Sequence, residues 1–325
     1  MLSQSDPVPA PARPEADSPD PGETPVEVRP RSDSLKVVAP RVSVSTRLVE
    51  IWNFRETLVG LIHKELKVKY KNSVLGFAWS MLNPAMYLGV YYFVFQVVLK
   101  NGIKNFAIYL LCGLVVWNLF STAVPNAATA VVGNSSIVKK VAFPREILAL
   151  ASVGASLVFF FFQAVVLIIA LGVFRFIPVL SYLWLIIPAM LALLVLAAAL
   201  GVFLSAVNVY LRDVQHLLEL FMVLWFWATP IVYPYRQIAD RLSKDHLAWL
   251  YLLNPVTCIV LVFQRALYGD VNSPKPGGGI IHLLPTNGPL WYLSLLLIVL
   301  VVSAALFIGA LVVFGRLEGN FAEEL

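Results

Sequence analysis

The sequence predicts an all-α integral membrane protein with six transmembrane helices, an N-terminal amphipathic interface helix and an extracytoplasmic re-entrant helical hairpin. Of the 325 residues, 59% are hydrophobic and only 13% are charged. A soluble domain is closer to one quarter charged, and this composition would leave apolar patches that a soluble monomer does not tolerate. The apolar residues also form runs long enough to cross a bilayer. Short basic groups lie between those runs, as they do in cytoplasmic loops.

Residues 1–46 differ in composition from the rest of the chain, because prolines recur there among Ser, Asp, Glu and Arg. Such a segment buries too little apolar surface to offset the entropy lost on ordering, so we predict a disordered cytoplasmic tail. A proline-rich motif for a partner protein is the alternative. The segment lacks the basic start and continuous apolar core of a secretory signal.

Residues 47–71 are predicted to form an amphipathic interface helix followed by a basic cluster. Within 48–62 the apolar side chains recur at helical spacing and form one stripe, at Leu48, Ile51, Trp52, Phe54, Leu58, Val59 and Ile62. This run is too short and too charged to span a membrane, and Trp52 suits the depth of the lipid headgroups. A packed helix of a small soluble region is the alternative. The basic cluster, residues 63–71, is assigned to the cytoplasm by the positive-inside rule.

Residues 72–325 are predicted to form the six-span domain. The spans are expected near 75–99, 106–132, 147–173, 179–207, 214–233 and 289–314. Pro125 predicts a kink in the second span rather than its end. The loop after that span carries Lys139, Lys140 and Arg145 and is assigned to the cytoplasm, as are both chain termini.

Residues 246–268 are apolar enough to suggest a seventh span. Asn254-Pro255 divides this stretch into two pieces that are each too short to cross, and a residue before proline is disfavoured in a helix. We therefore predict two short helices in a re-entrant hairpin on the extracytoplasmic side. A seventh span is the alternative, because charge bias is weak evidence on a segment of this length.

Several functional classes lack their motifs in this sequence. No GxxxxGK[ST] phosphate-binding loop occurs in the 325 residues, so we expect no nucleotide hydrolysis by this chain. The predicted spans carry few of the ionisable groups that ion-coupled carriers need. No carboxylates or histidines group as a catalytic or metal site would require, and Cys112 and Cys258 lie inside apolar runs. No basic surface with interleaved aromatic residues indicates a nucleic-acid partner.

Four motifs occur in order along residues 48–315. Residues 70–84 read YKNSVLGFAWSMLNP, residues 140–145 read KVAFPR, Leu211-Arg212-Asp213 precedes Thr229-Pro230, and Asn254-Pro255 follows. This series resembles the ABC-2 type permeases that export O-antigen, capsule, teichoic acid and related cell-envelope glycans. The first motif matches the family pattern at Tyr70, Lys71, Ser73, Leu75, Gly76, Trp79, Leu82 and Pro84.

The resemblance implies that the loop between the second and third spans couples this chain to a separate ATPase subunit. An Asn-Ser-Ser start, a lysine-rich turn and a terminating proline predict a short cytoplasmic helix over 134–144. Lysines near its end suit the helix dipole. A plain positive-inside anchor loop is the alternative. The candidate coupling residues are Asn134, Ile137, Lys139, Lys140, Phe143, Pro144, Arg145, Arg212 and Asp213.

Aromatic side chains in the predicted spans are candidates for a translocation path, because sugar rings have apolar faces that stack on aromatic rings. Lipid-facing packing and interface belts are the alternative. The candidates are Tyr87, Tyr91, Tyr92, Phe159, Phe160, Trp225 and Trp227. By resemblance, Asn254 and Pro255 would form a gate at the outer end of the path.

With this resemblance, the sequence predicts the permease subunit of an ATP-driven exporter in a bacterial inner or plasma membrane. Its substrate would be a lipid-linked polysaccharide of the O-antigen, teichoic acid or cell-wall galactan type. Two permease chains and two ABC ATPase chains are implied, with membrane lipid around them. The chain would hold no cofactor, because ATP and Mg²⁺ would bind to the ATPase subunit. The alternatives are an ABC-2 exporter of a smaller lipid or drug and an ATP-independent flippase of lipid-linked glycans.

Overall fold

The computed structural model describes residues 43–71, 78–98, 103, 105–141, 143–243, 248–269, 272–274 and 280–325. Most of the predicted N-terminal tail therefore lies outside the described residues. The first helix begins at Val44, slightly before the predicted boundary at residue 47. Three of the residues that match the first motif, Ser73, Leu75 and Gly76, also lie outside the described residues.

The described chain is mainly helical, because runs of apolar residues in a bilayer must pair their backbone groups within the segment. The α-helices are α1 Val44–Asn53, α2 Arg55–Tyr70, α3 Ala78–Tyr92, α4 Phe106–Gly133, α5 Ser135–Val138, α6 Glu146–Val173, α7 Leu180–Leu183, α8 Ile186–Tyr210, α9 Val214–Trp227, α10 Tyr235–Ser243, α11 Pro255–Phe263, α12 Pro289–Leu317 and α13 Phe321–Glu324. Short π-helical segments continue α3 over Phe93–Val98 and α11 over Gln264–Tyr268. Turns of 3-10 helix cover Ala248–Leu253 and Glu318–Asn320.

Four helical segments in the described part of the chain are long and apolar enough to cross a membrane. They confirm the second, third, fourth and sixth predicted spans as apolar helices of sufficient length, at Phe106–Gly133, Glu146–Val173, Leu180–Tyr210 and Pro289–Asn320. Pro125 lies inside α4 without ending it, as predicted.

The fifth predicted span, residues 214–233, is shorter in the structure. α9 ends at Trp227, because Pro230 disfavours helical backbone at the residue before it and has no N–H to donate. At about 1.5 Å per residue its 14 residues extend roughly 21 Å, less than the roughly 30 Å of hydrocarbon in a bilayer. The first predicted span is described from Ala78, as α3 and its π-helical extension.

α4 lies at the centre of the helix bundle. In its most apolar window 83% of the residues are buried, compared with 33% for α6 and 28% for α12. α8 approaches α4 so closely at Gly201 that a Cβ there would lie 2.6 Å from the Cβ of Ala127. Small residues permit this kind of close approach between spanning helices. α6 and α12 leave large apolar surfaces for lipid or for a second chain.

The predicted interface helix is two helices, separated at Phe54. Phe54 has φ −90° and ψ 20°, which lies outside the helical range. Asn53, directly before it, is a weak helix former whose side chain competes for backbone groups. The helix predicted over 48–62 is therefore interrupted at Phe54. Trp52 on α1 is 70% exposed, and the basic cluster 63–71 continues α2 as helix up to Tyr70.

The predicted break at Asn254-Pro255 is confirmed. The Asn254 side chain caps α11 by accepting a hydrogen bond from the Val256 N–H at 3.1 Å, and Pro255 occupies the first helical position, where no donor is needed. Beyond α11, strand β1 Asn272–Pro274 pairs antiparallel with β2 Ile280–His282, which sequence reasoning missed. The re-entrant arrangement in the membrane stays a prediction.

Candidate functional site

α1, α6 and the segment after α12 meet at a buried ionic cluster formed by Arg47, Glu146 and Glu318, which we call the polar junction. One terminal nitrogen of Arg47, Nη1, donates to Glu146 Oε1, and the other, Nη2, donates to Glu318 Oε1. Arg47 is 8% exposed and Glu146 is 1% exposed. A single guanidinium thus connects the N-terminal helix to the start of one span and to the end of another.

The local sequence favours this arrangement. Gly315 on α12 leaves room for the guanidinium, because a Cβ there would lie 2.6 Å from Nη2 of Arg47. Glu146 occupies the first turn of α6, where the helix dipole favours an acidic side chain. Burial acts to lower the pKa of Arg47, but its interactions with Glu318 and Glu146 outweigh burial. The pKa of Arg47 is therefore raised and the side chain stays charged.

Arg145 adds a second connection to the residues after α12. Its Nη1 donates to the main-chain oxygen of Glu318 at 2.6 Å, and its guanidinium carbon lies 5.8 Å from the ring centre of Phe321. Phe321 also packs against Tyr210, whose hydroxyl donates to the main-chain oxygen of Leu317 at 2.7 Å. These contacts fix the chain after α12 to the end of α8 and to the start of α6.

The candidate coupling loop is less helical than its sequence predicts. α5 has only four residues, Ser135–Val138, so the helix predicted over 134–144 was wrong beyond Val138. So short a helix forms too few hydrogen bonds to offset its nucleation. Asn134 stands at the N-cap position but its side chain does not cap. Instead it donates to the main-chain oxygen of Ala130 at 2.8 Å and accepts from Lys64 Nζ at 2.7 Å.

This loop presents basic side chains to solvent between two anchors. Lys139 and Lys140 are exposed, and Ile137 is half-buried. The anchor before them is Val138, which is 4% exposed, and the anchor after them is Arg145. The loop is therefore a short basic projection with a fixed base.

A cavity of about 330 Å³ opens beside the polar junction, and we call it the junction cavity. It brings Phe143 and Pro144 together with all three junction residues; its lining is Arg47, Glu50, Phe54, Phe143, Pro144, Glu146 and Glu318. The other two coupling candidates, Arg212 and Asp213, are not part of its wall. Their side chains are exposed directly after α8, which ends at Tyr210 and thus at the same end of the bundle.

α2 packs on α6 through polar and apolar contacts that sequence reasoning missed. Ser152 Oγ donates to Glu65 Oε1 at 2.7 Å, and Lys69 Nζ lies 4.1 Å from the ring centre of Phe159. Gly154 faces Ile62 so closely that a Cβ would lie 2.5 Å from its Cδ1. Burial raises the pKa of Glu65, and the Ser152 hydrogen bond offsets this only in part. α2 is thus fixed along a spanning helix as well as carrying basic residues.

A second cavity of about 360 Å³ lies between α3, α4 and α9, and we call it the aromatic cavity. Two of the predicted path residues, Tyr87 and Trp227, lie in its wall. The full lining is Tyr87, Leu114, Trp117, Asn118, Ser121, Met222, Val223, Phe226 and Trp227. Nδ2 of Asn118 donates to Gln163 Oε1 at 3.1 Å, so two amides meet within the spans.

The other predicted path residues are placed elsewhere. Phe160 is buried and packs edge to face against Phe263. The ring of Phe159 instead contacts the ammonium group of Lys69. Tyr92 is 42% exposed, and the Tyr91 side chain lies outside the described residues. Trp225 packs edge-on against Phe120, with the two ring centres 4.9 Å apart. Of the predicted path residues whose side chains the structure describes, only Tyr87 and Trp227 therefore share the wall of the aromatic cavity.

Asn254 is the centre of a neutral hydrogen-bonded group with Trp225 and Thr229. We call these three residues, together with the hydrogen-bonded pair Tyr233 and Tyr251, the outer cluster. Oδ1 of Asn254 accepts from Trp225 Nε1 at 2.9 Å, and its Nδ2 donates to Thr229 Oγ1 at 3.1 Å. The hydroxyls of Tyr233 and Tyr251 are 2.6 Å apart. The predicted gate residue thus connects the end of α9 to the start of α11.

Sequence reasoning missed Arg47 and Glu318 because each is far along the chain from its partners. Glu146, directly after the Phe-Pro-Arg motif, offered a signal: a lone carboxylate at the start of an apolar run requires a cation. Gln163, a polar side chain inside the third predicted span, was a similar signal, because its amide also requires a partner, which is Asn118. Neither signal identifies the partner without the fold.

Comparisons with known proteins agree with this architecture. The sequence profile of the ABC-2 type transporter family matches residues 56–268. A Myxococcus xanthus protein named O-antigen export system permease protein RfbA is 32% identical over 281 residues, which are 86% of this chain and 99% of the relative. A Klebsiella pneumoniae protein of the same name is 30% identical over 270 residues, covering 83% and 95%. This chain therefore belongs to the ABC-2 type transporter family.

Proposed function

We propose that this chain is the permease subunit of an ATP-driven exporter that moves a lipid-linked polysaccharide across a bacterial inner or plasma membrane. The observation that carries the proposal is the similarity to two proteins named as O-antigen export permeases, which extends over 99% and 95% of their lengths. A match of that extent includes the spans, the coupling loop and the break at Asn254. The substrate class follows from those names, and the particular glycan is a matter for transport assays.

A separate ABC ATPase subunit supplies the energy, because the sequence carries no phosphate-binding loop. ATP and Mg²⁺ bind to that subunit. The exposed turn at Lys139 and Lys140 is its docking point, with Arg212 and Asp213 as a second contact at the same end of the bundle. The base of this turn leads to Glu146, so movement of the turn is passed to α6 and, through Arg47, to α1 and Glu318.

A second copy of the chain completes the path. α3 and α9 both present exposed apolar side chains, among them Met86 and Val90 on α3 and Leu220 and Leu224 on α9. With α3 and α9 as short spans, the chain crosses six times and keeps both termini in the cytoplasm. Two permease chains then bind two ATPase chains.

The aromatic cavity forms part of the path in this proposal. Tyr87, Trp117 and Trp227 offer ring faces on which the apolar faces of sugars stack. Asn118 offers an amide for sugar hydroxyls. The outer cluster around Asn254 and Pro255 closes the extracytoplasmic end.

Reconstitution tests the proposal. The chain is coexpressed with its ATPase subunit, purified and placed in proteoliposomes, and ATP-dependent movement of a radiolabelled lipid-linked glycan is measured. We expect Lys139→Ala/Lys140→Ala to lower transport roughly tenfold or more, because each substitution removes a charge-assisted contact with the ATPase subunit. Lys67→Ala, which removes an exposed lysine from α2, is the control and should leave transport within about twofold.

The same assay contains the outcomes that contradict the proposal. Glycan movement at an undiminished rate by the permease alone, without ATPase or ATP, would replace it with an ATP-independent flippase. ATP-driven movement of a short lipid or drug, but not of the glycan, would replace the substrate class. Failure of the ATPase subunit to bind the permease would remove the exporter assignment.

A further inference from the structure

The junction cavity carries more acidic than basic side chains. Glu50, Glu146 and Glu318 line it together with one cation, Arg47. That cation is shared, since Arg47 forms its two ion pairs with Glu146 and with Glu318. Arg145 also contacts this region, but it donates to the main-chain oxygen of Glu318 rather than to a carboxylate. The cavity is therefore lined by three carboxylates and one guanidinium, which leaves an excess of two carboxylates.

The surroundings of Glu146 indicate that this cavity binds a ligand. Its side chain is almost fully buried, at 1% exposure for the residue, and its Oε2 accepts no hydrogen bond from any residue that the structure describes. A buried oxygen without a donor is costly, so native proteins supply a partner for it. Because Glu146 lines the cavity, a donor that enters there would complete its hydrogen bonding.

The shape and walls of the cavity fit a guanidinium group. A volume of about 330 Å³ is much larger than a bare ion, and no group of three His, Cys, Asp or Glu residues within the described ranges is placed to hold a metal. Phe54 and Phe143 provide aromatic walls, on which a planar guanidinium stacks. Its forked donors also match carboxylates, whereas a lysine offers only a point charge.

We propose that the junction cavity receives an arginine side chain of the ATPase subunit, with Glu146 Oε2 and the Glu50 carboxylate as its acceptors. The inference rests on the proposed function, because Phe143 and Pro144 belong to the loop assigned to docking. The docking surface then carries both signs of charge, with a basic turn at Lys139 and an acidic cavity beside it. Such a pattern favours one orientation of the partner over others.

Binding of the purified ATPase subunit to permease in nanodiscs, measured by biolayer interferometry, tests this inference. Glu146→Gln replaces the free acceptor with an amide that donates, and we expect Kd to rise roughly tenfold or more. Glu50→Gln leaves the ion pairs of Arg47 intact and should raise Kd about threefold. It therefore keeps the test valid if Glu146→Gln does not fold. Glu56→Gln, at an exposed site on α2, makes the same charge change outside the cavity and should leave Kd unchanged.

A photo-crosslink identifies the occupant. Phe54 is replaced by p-benzoylphenylalanine, the assembled complex is irradiated, and the crosslinked peptides are sequenced by mass spectrometry. We expect an arginine-containing peptide of the ATPase subunit. Changing that arginine to glutamate should weaken binding, and combining the change with Glu50→Arg should restore it.

The outcomes separate this inference from the function on which it rests. If both glutamine variants bind the ATPase subunit as the unaltered protein does, or if the crosslink captures only permease peptides, the arginine site is overturned and the exporter assignment stands. If the unaltered permease does not bind the ATPase subunit at all, the proposed function fails and the inference fails with it.

Discussion

The two ends of the helix bundle are held together by different chemistry. At the polar junction, Arg47 connects three elements through ion pairs with Glu146 and Glu318. At the outer cluster, Asn254 connects α9 to α11 through neutral hydrogen bonds with Trp225 and Thr229. The first arrangement stands beside exposed basic loops, and the second closes a break between apolar helices.

The difference indicates how each end responds to change. A buried ion pair gains little over apolar packing, but removing one partner leaves a buried charge that is expensive to keep. A neutral amide that loses its partners leaves only polar groups with smaller desolvation costs. The polar junction should therefore be sensitive to single substitutions and to a charged partner, and the outer cluster should mainly set local geometry.

Arg47→Ala should give the largest effect, because it leaves Glu146 without its cation. Breaking a buried pair in this way costs about 3–5 kcal/mol, which lowers Tm by roughly 10 °C in a chain of this size. Thermal unfolding in detergent measures the change. Arg55→Ala, at an exposed site on α2, is the control and should shift Tm by less than about 2 °C. An unchanged Tm for Arg47→Ala would show that the junction is not an ionic connection.

Asn254→Ala should give the next largest effect, about 2–3 kcal/mol of unfolding free energy. It removes the cap on α11, worth about 1 kcal/mol, and leaves Trp225 Nε1 and Thr229 Oγ1 without the Asn254 side chain. Unfolding in mixed micelles of increasing SDS content measures the loss. Asn287→Ala is the control, because the Asn287 side chain is exposed and the substitution keeps the main-chain carbonyl that accepts from the Tyr182 hydroxyl. A loss larger than that of Arg47→Ala would reverse the comparison between the two ends.

The sequence predicted most of the spanning architecture because hydropathy acts over long, continuous runs. Four spans and the break at Asn254 follow from that signal and from proline chemistry. The end of α9 at Trp227 and the break at Phe54 were missed, because a helix end depends on a few backbone dihedral angles within an otherwise apolar or periodic stretch. The β-hairpin after α11 was missed because its strands have three residues each, which is too short for an alternating pattern.

The candidate site was predictable only where one segment carries it. The motif around Lys140 and Arg145 identified the loop, because its residues are consecutive. Arg47 is 99 residues from Glu146 and 271 residues from Glu318. No spacing rule connects residues that only the tertiary fold brings together, so the polar junction and its cavity required the structure.

Gly315→Ala sharpens the comparison, because it tests how closely Arg47 must approach α12. A Cβ at Gly315 would lie 2.6 Å from the guanidinium of Arg47, whereas nothing lies within 4 Å of a Cβ at Gly309 on the same helix. We expect Gly315→Ala to destabilise by about 1–2 kcal/mol as Arg47 is displaced. Gly309→Ala should be neutral or stabilise by up to about 1 kcal/mol through helix propensity. Equal changes in unfolding free energy for the two variants, measured by SDS unfolding, would mean that Arg47 can be displaced without destabilising the fold.

Glu65→Gln should give the smallest effect, and the size of that effect depends on pH. Glu65 combines the two chemistries, since a neutral hydroxyl, that of Ser152, donates to its carboxylate. Burial raises the pKa of Glu65 above its ordinary value of 4.5, and the Ser152 hydrogen bond and the charges of Lys64 and Lys69 offset this in part. The stability associated with a raised carboxyl pKa is present below the ordinary pKa and is lost as pH rises through the raised value. Glutamine does not ionise, so we expect Glu65→Gln to raise Tm by roughly 1–2 °C at pH 8 and to leave it unchanged at pH 4. Glu56→Gln, at an exposed site on α2, is the control for the loss of one surface carboxylate. A gain for Glu65→Gln that does not grow with pH would mean that burial of the Glu65 charge costs the fold nothing.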